Sequence, residues 1–314
     1  MKKALICFLC VLSCLPGLAR AQGAAPAPFA LHDDDRIVLL GSTIIEREQK
    51  YGYLETQLAL AAGNKKIHVR NLGWSGDTVF GHARSYFGPP TEGIERLTKH
   101  IDLTKPTVLV ACYGAELPFE GLDELPAFVE GYTALLDMVR AKSPGLRVVI
   151  VAPPPFENLG SPLPDLSEAN ARLAKVRDAL RDFAAKQGAT FVDLYDLMGG
   201  AHKERPAHPL TDDGLHYAQE GYKILAEKFI GALGLPVAQV GSAPVEALRN
   251  AIIEKDRLFF DRWRPQNETY LFGFRKHEQG KNAAEVDQFD PLIDAQENKI
   301  AQLKAAALNP AKLP

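Results

Sequence analysis

Five apolar runs, each unbroken and rich in β-branched residues, limit what this chain can fold into: Arg36–Leu40, Ile67–Leu72, Thr107–Cys112, Arg147–Ala152 and Thr190–Leu194. A strand with one wet face alternates apolar and polar residues, whereas a strand covered on both faces does not. Between the runs lie stretches with helical spacing, Glu46–Ala62, Thr91–His100, Glu124–Ala141 and Leu166–Gln187, and Gly221–Leu233 follows the last run. Ser167 is positioned to cap the fourth helix and Gly188 to stop it, and Gly234 ends the last. Strands that alternate with helices build a parallel sheet, and right-handed crossovers cover both of its faces. The expected architecture is therefore α/β, a three-layer α/β/α sandwich over residues 35–234. In such sheets ligands bind at the carboxyl ends of the strands.

The chain has 314 residues, 46% hydrophobic and 24% charged, with a formal net charge of -3. That length allows one such domain and an extension. The charge balance points to neither nucleic acid nor an anionic membrane as partner. Lys2 and Lys3 precede an apolar stretch, Ala4 to Leu15, that is short for a bilayer span, and Ala19-Arg20-Ala21 fits a small-x-small cleavage site. Residues 1–21 are read as a signal peptide. The expectation is export to the periplasm or beyond, with no transmembrane segment in the mature chain. A lipobox at Val11-Leu12-Ser13-Cys14 is the poorer alternative. Cys7, Cys10 and Cys14 all fall in that segment, so Cys7-x-x-Cys10 is read as part of an apolar signal rather than a metal or redox motif. Cys112, the cysteine left after cleavage, lies in an apolar run and reads as a small buried hydrophobe.

Beyond the domain, Val237–Ala243 forms a small-residue linker and Pro244–Asp261 has helical spacing. A dense aromatic and basic stretch follows, from Phe259-Phe260-Asp261-Arg262-Trp263-Arg264-Pro265 to Tyr270-Leu271-Phe272-Gly273-Phe274-Arg275, and Pro291–Ala306 is a final amphipathic helix. Residues 244–306 are expected to form a helical and irregular extension that packs on the domain or docks a protein partner. The sequon Asn267-Glu268-Thr269 is read as tail structure.

Four strand-to-loop junctions carry candidate chemistry. After the first run come Gly41-Ser42-Thr43, and a hydroxyl at a helix N-terminus meets a positive potential that favours an attacking oxygen. Ser42 or Thr43 could equally cap the helix. After the second run, Gly73-Trp74-Ser75-Gly76-Asp77-Thr78 lets the backbone approach a ligand, and the Gly76 N–H can donate to an oxyanion. After the third, Gly114-Ala115-Glu116 directs a carboxyl toward the same crevice, where it is a poor oxyanion donor unless protonated. The alternative is a solvated or Arg-paired loop charge. Last, Asp213 and His216 stand three apart, close enough for the carboxylate to fix the ring tautomer and leave the far nitrogen as general base. No His-Glu-x-x-His, glycine-rich dinucleotide fingerprint or phosphate-cradling Gly-Lys-Ser/Thr is present, so neither metal nor cofactor is expected.

In their order and spacing these pieces resemble the SGNH/GDSL hydrolases, over about residues 35–233. The resemblance implies a flavodoxin-like sandwich and hydrolysis of esters of lipids, acyl carriers or carbohydrates. It implies Thr43 at the nucleophilic serine, Gly76 at the oxyanion glycine and Gly114-Ala115-Glu116 at the third block, matched there only in the glycine. Asp213 and His216 meet the Asp-x-x-His block in full. Two residues depart from the pattern. Thr43 carries a methyl that restricts χ1, and Glu116 stands where an asparagine would donate. Ser42, one residue off register, is the alternative nucleophile. Three functions compete: an exported ester hydrolase of the carbohydrate esterase or deacetylase kind, acting on a small-molecule or glycan ester; a ligand-binding module without turnover; and an interaction protein that docks through its aromatic tail.

Overall fold

The computed structural model describes residues 29–200 and 207–309. The expected signal peptide and its three cysteines lie outside the described residues. In chain order the main elements are β1 (Asp35–Gly41), α1 (Thr43–Tyr51), α2 (Tyr53–Ala61), β2 (Ile67–Asn71), α3 (Thr91–Thr104), β3 (Val108–Cys112), α4 (Leu117–Glu120), α5 (Leu125–Lys142), β4 (Arg147–Ala152), α6 (Ser167–Gln187), β5 (Thr190–Asp193), α7 (Leu194–Leu197) and α8 (Gln219–Ala232). The extension adds α9 (Ala243–Trp263), α10 (Glu268–Leu271), α11 (Lys276–Gln279) and α12 (Phe289–Leu308).

The strands form one parallel sheet in the order β2-β1-β3-β4-β5. The unbroken apolar runs follow from this, because alternate residues serve two cores. Val38, Leu40, Leu109, Ala111, Val148 and Ile150 face a core completed by α3, α5 and α6. Ile37, Leu39, Val108, Val110, Val149 and Val151 face one completed by α1, α2 and α8. Cys112 is buried in the second core, and burial pushes its thiol up out of the reactive range. Chain order reverses between β1 and β3, so the crevice for a ligand lies beyond their carboxyl ends.

The structure corrects two local expectations. Glu46–Ala62 is two helices rather than one. Gly52 breaks it in the left-handed conformation at φ 66°, and the Glu48 carboxyl accepts the Leu54 N–H at 2.5 Å at the start of α2. Ser167 does not cap α6. It is the first helical residue, and its free amide goes to Asp165 Oδ1 at 2.8 Å.

The extension packs against the domain. Leu258, Phe259, Trp263 and Ile293 belong to the same hydrophobic core as the sheet residues Val38 and Leu109. Lys255 of α9 is fully buried, and its ammonium meets Glu55 of α2 at 2.7 Å, Asp256 at 2.6 Å and the Val69 carbonyl at 3.0 Å. Arg70 of β2 pairs with Glu297 of α12. The aromatic stretch is divided, with Trp263 and Leu271 inward and Phe272 and Phe274 exposed. A chain ending at Gly241 would leave much of this core uncovered. We expect it to lose cooperative thermal unfolding by circular dichroism. A truncated chain that melts like the full-length protein would contradict this packing.

Candidate active site

A pocket of about 240 Å³ at the carboxyl ends of β1 and β3 is lined by Ser42, Thr43, Gly76, Glu116 and His216 together with an apolar wall. Larger hollows of about 720 and 590 Å³ lie along the extension, but neither is lined by these groups; chemistry rather than size marks the site. Of the residues singled out from sequence, Asp213 and Gly114 do not line the pocket. Asp213 acts on its neighbour His216. Gly114 faces the core, where an added Cβ would meet Val176 and Phe128, and gives its N–H to a Glu116 oxygen at 3.2 Å.

The start of α1 is set by two close backbone approaches. A Cβ at Gly41 would lie 2.3 Å from the Cys112 carbonyl, and one at Gly73 would lie 2.3 Å from the Glu46 nitrogen. The loop after β2 is then stapled to α1: Trp74 N–H donates to Gly41 O at 3.0 Å, and Asn71 Nδ2 donates to Ile45 O at 2.6 Å. Ser42 occupies the N-cap position, yet its hydroxyl makes no capping hydrogen bond. Among the described residues, no acceptor takes the N–H groups of Thr43 and Gly76. Ser42, Thr43 and Gly76, which carry two hydroxyls and these two amides, all line one pocket.

The histidine arrives on a loop held from both sides. Glu157 accepts the Thr211 N–H at 2.7 Å and its hydroxyl at 2.6 Å, and the Leu210 amide at 2.9 Å. Arg47 of α1 donates to Asp212 at 3.1 Å and to the Tyr217 carbonyl at 3.4 Å. Tyr222 of α8 donates to the Ile44 carbonyl at 2.7 Å. These contacts tie the base-bearing loop to the helix that bears the hydroxyls. His216 Nδ1 lies 2.6 Å from Asp213 Oδ2. Partial burial works against ionisation of Asp213, but the His216 ring and the His216 and Leu215 amides outweigh it and hold the carboxyl at about 2. An ionised Asp213 keeps the proton on Nδ1, so Nε2 is the nitrogen able to accept one. The structure gives no hydrogen bond from either hydroxyl to that ring.

Sequence reasoning missed the supports and the walls. The pocket is closed by Tyr113, Phe119, Pro153, Pro154, Phe156 and Leu215. The run Pro153-Pro154-Pro155-Phe156 after the fourth strand was a readable signal for a rigid wall. Beneath the Gly76 loop, Asp77 and Arg84 form a fully buried ion pair at 2.7 Å, and Arg84 also donates to the Leu72 carbonyl at 2.7 Å. The extension reaches this loop as well. The Arg264 guanidinium lies 3.6 Å over the Trp74 ring and pairs with Glu46, which accepts the Ser75 N–H at 2.6 Å.

The switch point of a doubly wound sheet thus brings His216 of the Asp–His pair and the hydroxyl-bearing start of α1 to one pocket. The sequence profile of the GDSL-like lipase/acylhydrolase family matches residues 41–224, and the chain belongs to that family. No curated protein sequence matches it significantly. Among solved structures, a gut microbial diltiazem-metabolizing enzyme is similar at 13% identity, TM-score 0.61, over 88% of this chain and 96% of its own. A protein assigned as a GDSL-like lipase from Parabacteroides merdae is similar at 20% identity, TM-score 0.53, over 65% of this chain and 98% of its own. An acetylxylan esterase from Geobacillus stearothermophilus is similar more loosely, at 18% identity and TM-score 0.49, over 67% of this chain and 99% of its own. At these identities the likeness is one of fold. The first alignment runs beyond the family-matched residues.

Removing Arg84 would leave Asp77 buried without its counter-charge. Arg84→Ala is expected to cost about 3–5 kcal/mol of folding stability in urea titration. A cost under about 1 kcal/mol would show that the loop stands without the pair.

Proposed function

We propose that this chain is an ester hydrolase in which the Thr43 hydroxyl attacks the acyl carbonyl and His216 takes its proton. The observation that carries the reading is the 2.6 Å Asp213–His216 contact, in which the ring lines the same pocket as the α1 hydroxyls and the Gly76 loop. Asp213 holds the ring and stabilises its charged form after proton transfer. The Thr43 and Gly76 amides receive the developing oxyanion. His216 then protonates the leaving alcohol, and water repeats the sequence in reverse on the acyl-enzyme. The small apolar pocket favours a short acyl group, and its open mouth accommodates a bulkier small-molecule or glycan alcohol. The basic and apolar N-terminal sequence supports action outside the cytoplasm.

Hydrolysis of aryl esters of graded acyl length tests this directly. Acetyl and propionyl esters should turn over fastest, and His216→Ala should lower kcat by at least about a thousandfold. Thr43→Ala should abolish turnover while Ser42→Ala retains it. The reverse pattern would make Ser42 the nucleophile, and no turnover with any acyl length would remove the hydrolase.

The absence of a hydroxyl-to-ring hydrogen bond favours one second reading, a ligand-binding module without turnover. On that reading calorimetry detects an ester or acid ligand that is never cleaved, and the Thr43→Ser, Glu116→Asn double variant gains activity. A double variant as inert as the parent would count against it.

A further inference from the structure

The pocket contains one carboxyl that the Asp213–His216 pair does not use. Glu116 is the only acidic side chain among the described residues lining it. It follows β3 at the N-cap position of α4, in the pocket shared with Ser42, Thr43 and Gly76. One of its oxygens accepts the Gly114 N–H at 3.2 Å, which folds the side chain over its own loop. The charged groups that act on it are Glu120 on α4 and Asp77 on the loop after β2, both of which repel a negative charge. From β3 and α5 it faces Cys112 and Tyr132, both buried, and the pocket adds Tyr113, Arg47 and His216. Arg47 is engaged with Asp212 and the Tyr217 carbonyl rather than with Glu116.

An ionised carboxylate in this position would oppose the anion formed at the carbonyl, and a protonated one would assist it. Burial pushes the Glu116 carboxyl up to about 7. Its own amide and that of Gly114 pull against this, and Glu120 and Asp77 add to the rise. An apolar site that keeps a carboxylic acid neutral turns it into a hydrogen-bond donor.

We propose that Glu116, as the neutral acid, is the third donor to the oxyanion, beside the Thr43 and Gly76 amides. This rests on the hydrolase reading. As the nucleophile's oxygen bonds to the acyl carbon, the carbonyl π pair moves onto its oxygen and His216 receives the hydroxyl proton. Glu116 donates a hydrogen bond to that oxygen and keeps its proton. When the tetrahedral intermediate collapses, the C–O bond to the alcohol breaks and the leaving oxygen takes the proton from His216. Glu116 ends the cycle as it began.

The active form therefore carries a proton on Glu116, so the rate falls as the pH rises and Glu116 loses it. The test is the pH profile of kcat/KM of the full-length protein on an aryl acetate, for the wild type, Glu116→Gln and Glu116→Ala. The wild type should lose about tenfold per pH unit above neutrality. Glu116→Gln donates at every pH, so its alkaline limb should flatten and its rate at pH 9 should exceed that of the wild type. Glu116→Ala should be slower by about 10²–10³ at pH 6 and also lack the alkaline limb. A wild type and Glu116→Gln that share one alkaline limb, or a Glu116→Ala as fast as the wild type at pH 6, would overturn this role and leave the hydrolase standing. No turnover from any form at any pH would end both.

Discussion

The site depends on how closely three pieces of backbone approach one another. The end of β1, the first turn of α1 and the loop after β2 meet at Gly41 and Gly73, where a side chain would overlap a carbonyl or an amide. That contact decides where α1 begins, and so where its unpaired N–H groups and its hydroxyls point. It also brings the Gly76 amide to the same rim. A helix that started one residue later, or lay an ångström farther out, would still pack its apolar face but would not deliver these groups to a common point.

Much of the remaining polar structure holds this junction in place. Asp77 pairs with Arg84 under the Gly76 loop, where Arg84 also holds the Leu72 carbonyl, and Arg47 and Glu157 fix the histidine loop through half-buried hydrogen bonds with a carbonyl and with amides. The extension belongs to the same scheme. Trp263 stacks edge-on against Trp74 with ring centroids 5.7 Å apart, and Arg264 lies across the same ring. The helices after residue 243 thus complete one of the two cores and press on a loop that lines the pocket.

The layout of the sheet was legible because the unbroken runs needed only local chemistry to interpret. Val38 and Ile37 point to opposite cores, so neither could be polar. The break at Gly52 was missed because helical periodicity continues through it, and the backbone conformation that ends α1 leaves no gap in the pattern of apolar residues. The Asp213–His216 contact was legible for a similar reason, since three residues of separation suffice for it. Arg47 and Glu157 were invisible because their partners lie more than fifty residues away in sequence. The capping reading of Ser42 was reasonable from composition, and the residue does stand at the N-cap, but its hydroxyl makes no hydrogen bond to the helix amides.

The sequence by itself determined the parallel sheet, its two covered faces and the residue types available at each strand end, because these follow from short-range periodicity and from turns a few residues long. The tertiary structure decided which of those residues share a pocket. It also decided what state they are in there: Glu116 is an ordinary acid as a letter, and burial, with Glu120 and Asp77 adding to it, pushes its carboxyl up. Desolvation and the field of distant charges are properties of the folded volume, and no local pattern encodes them.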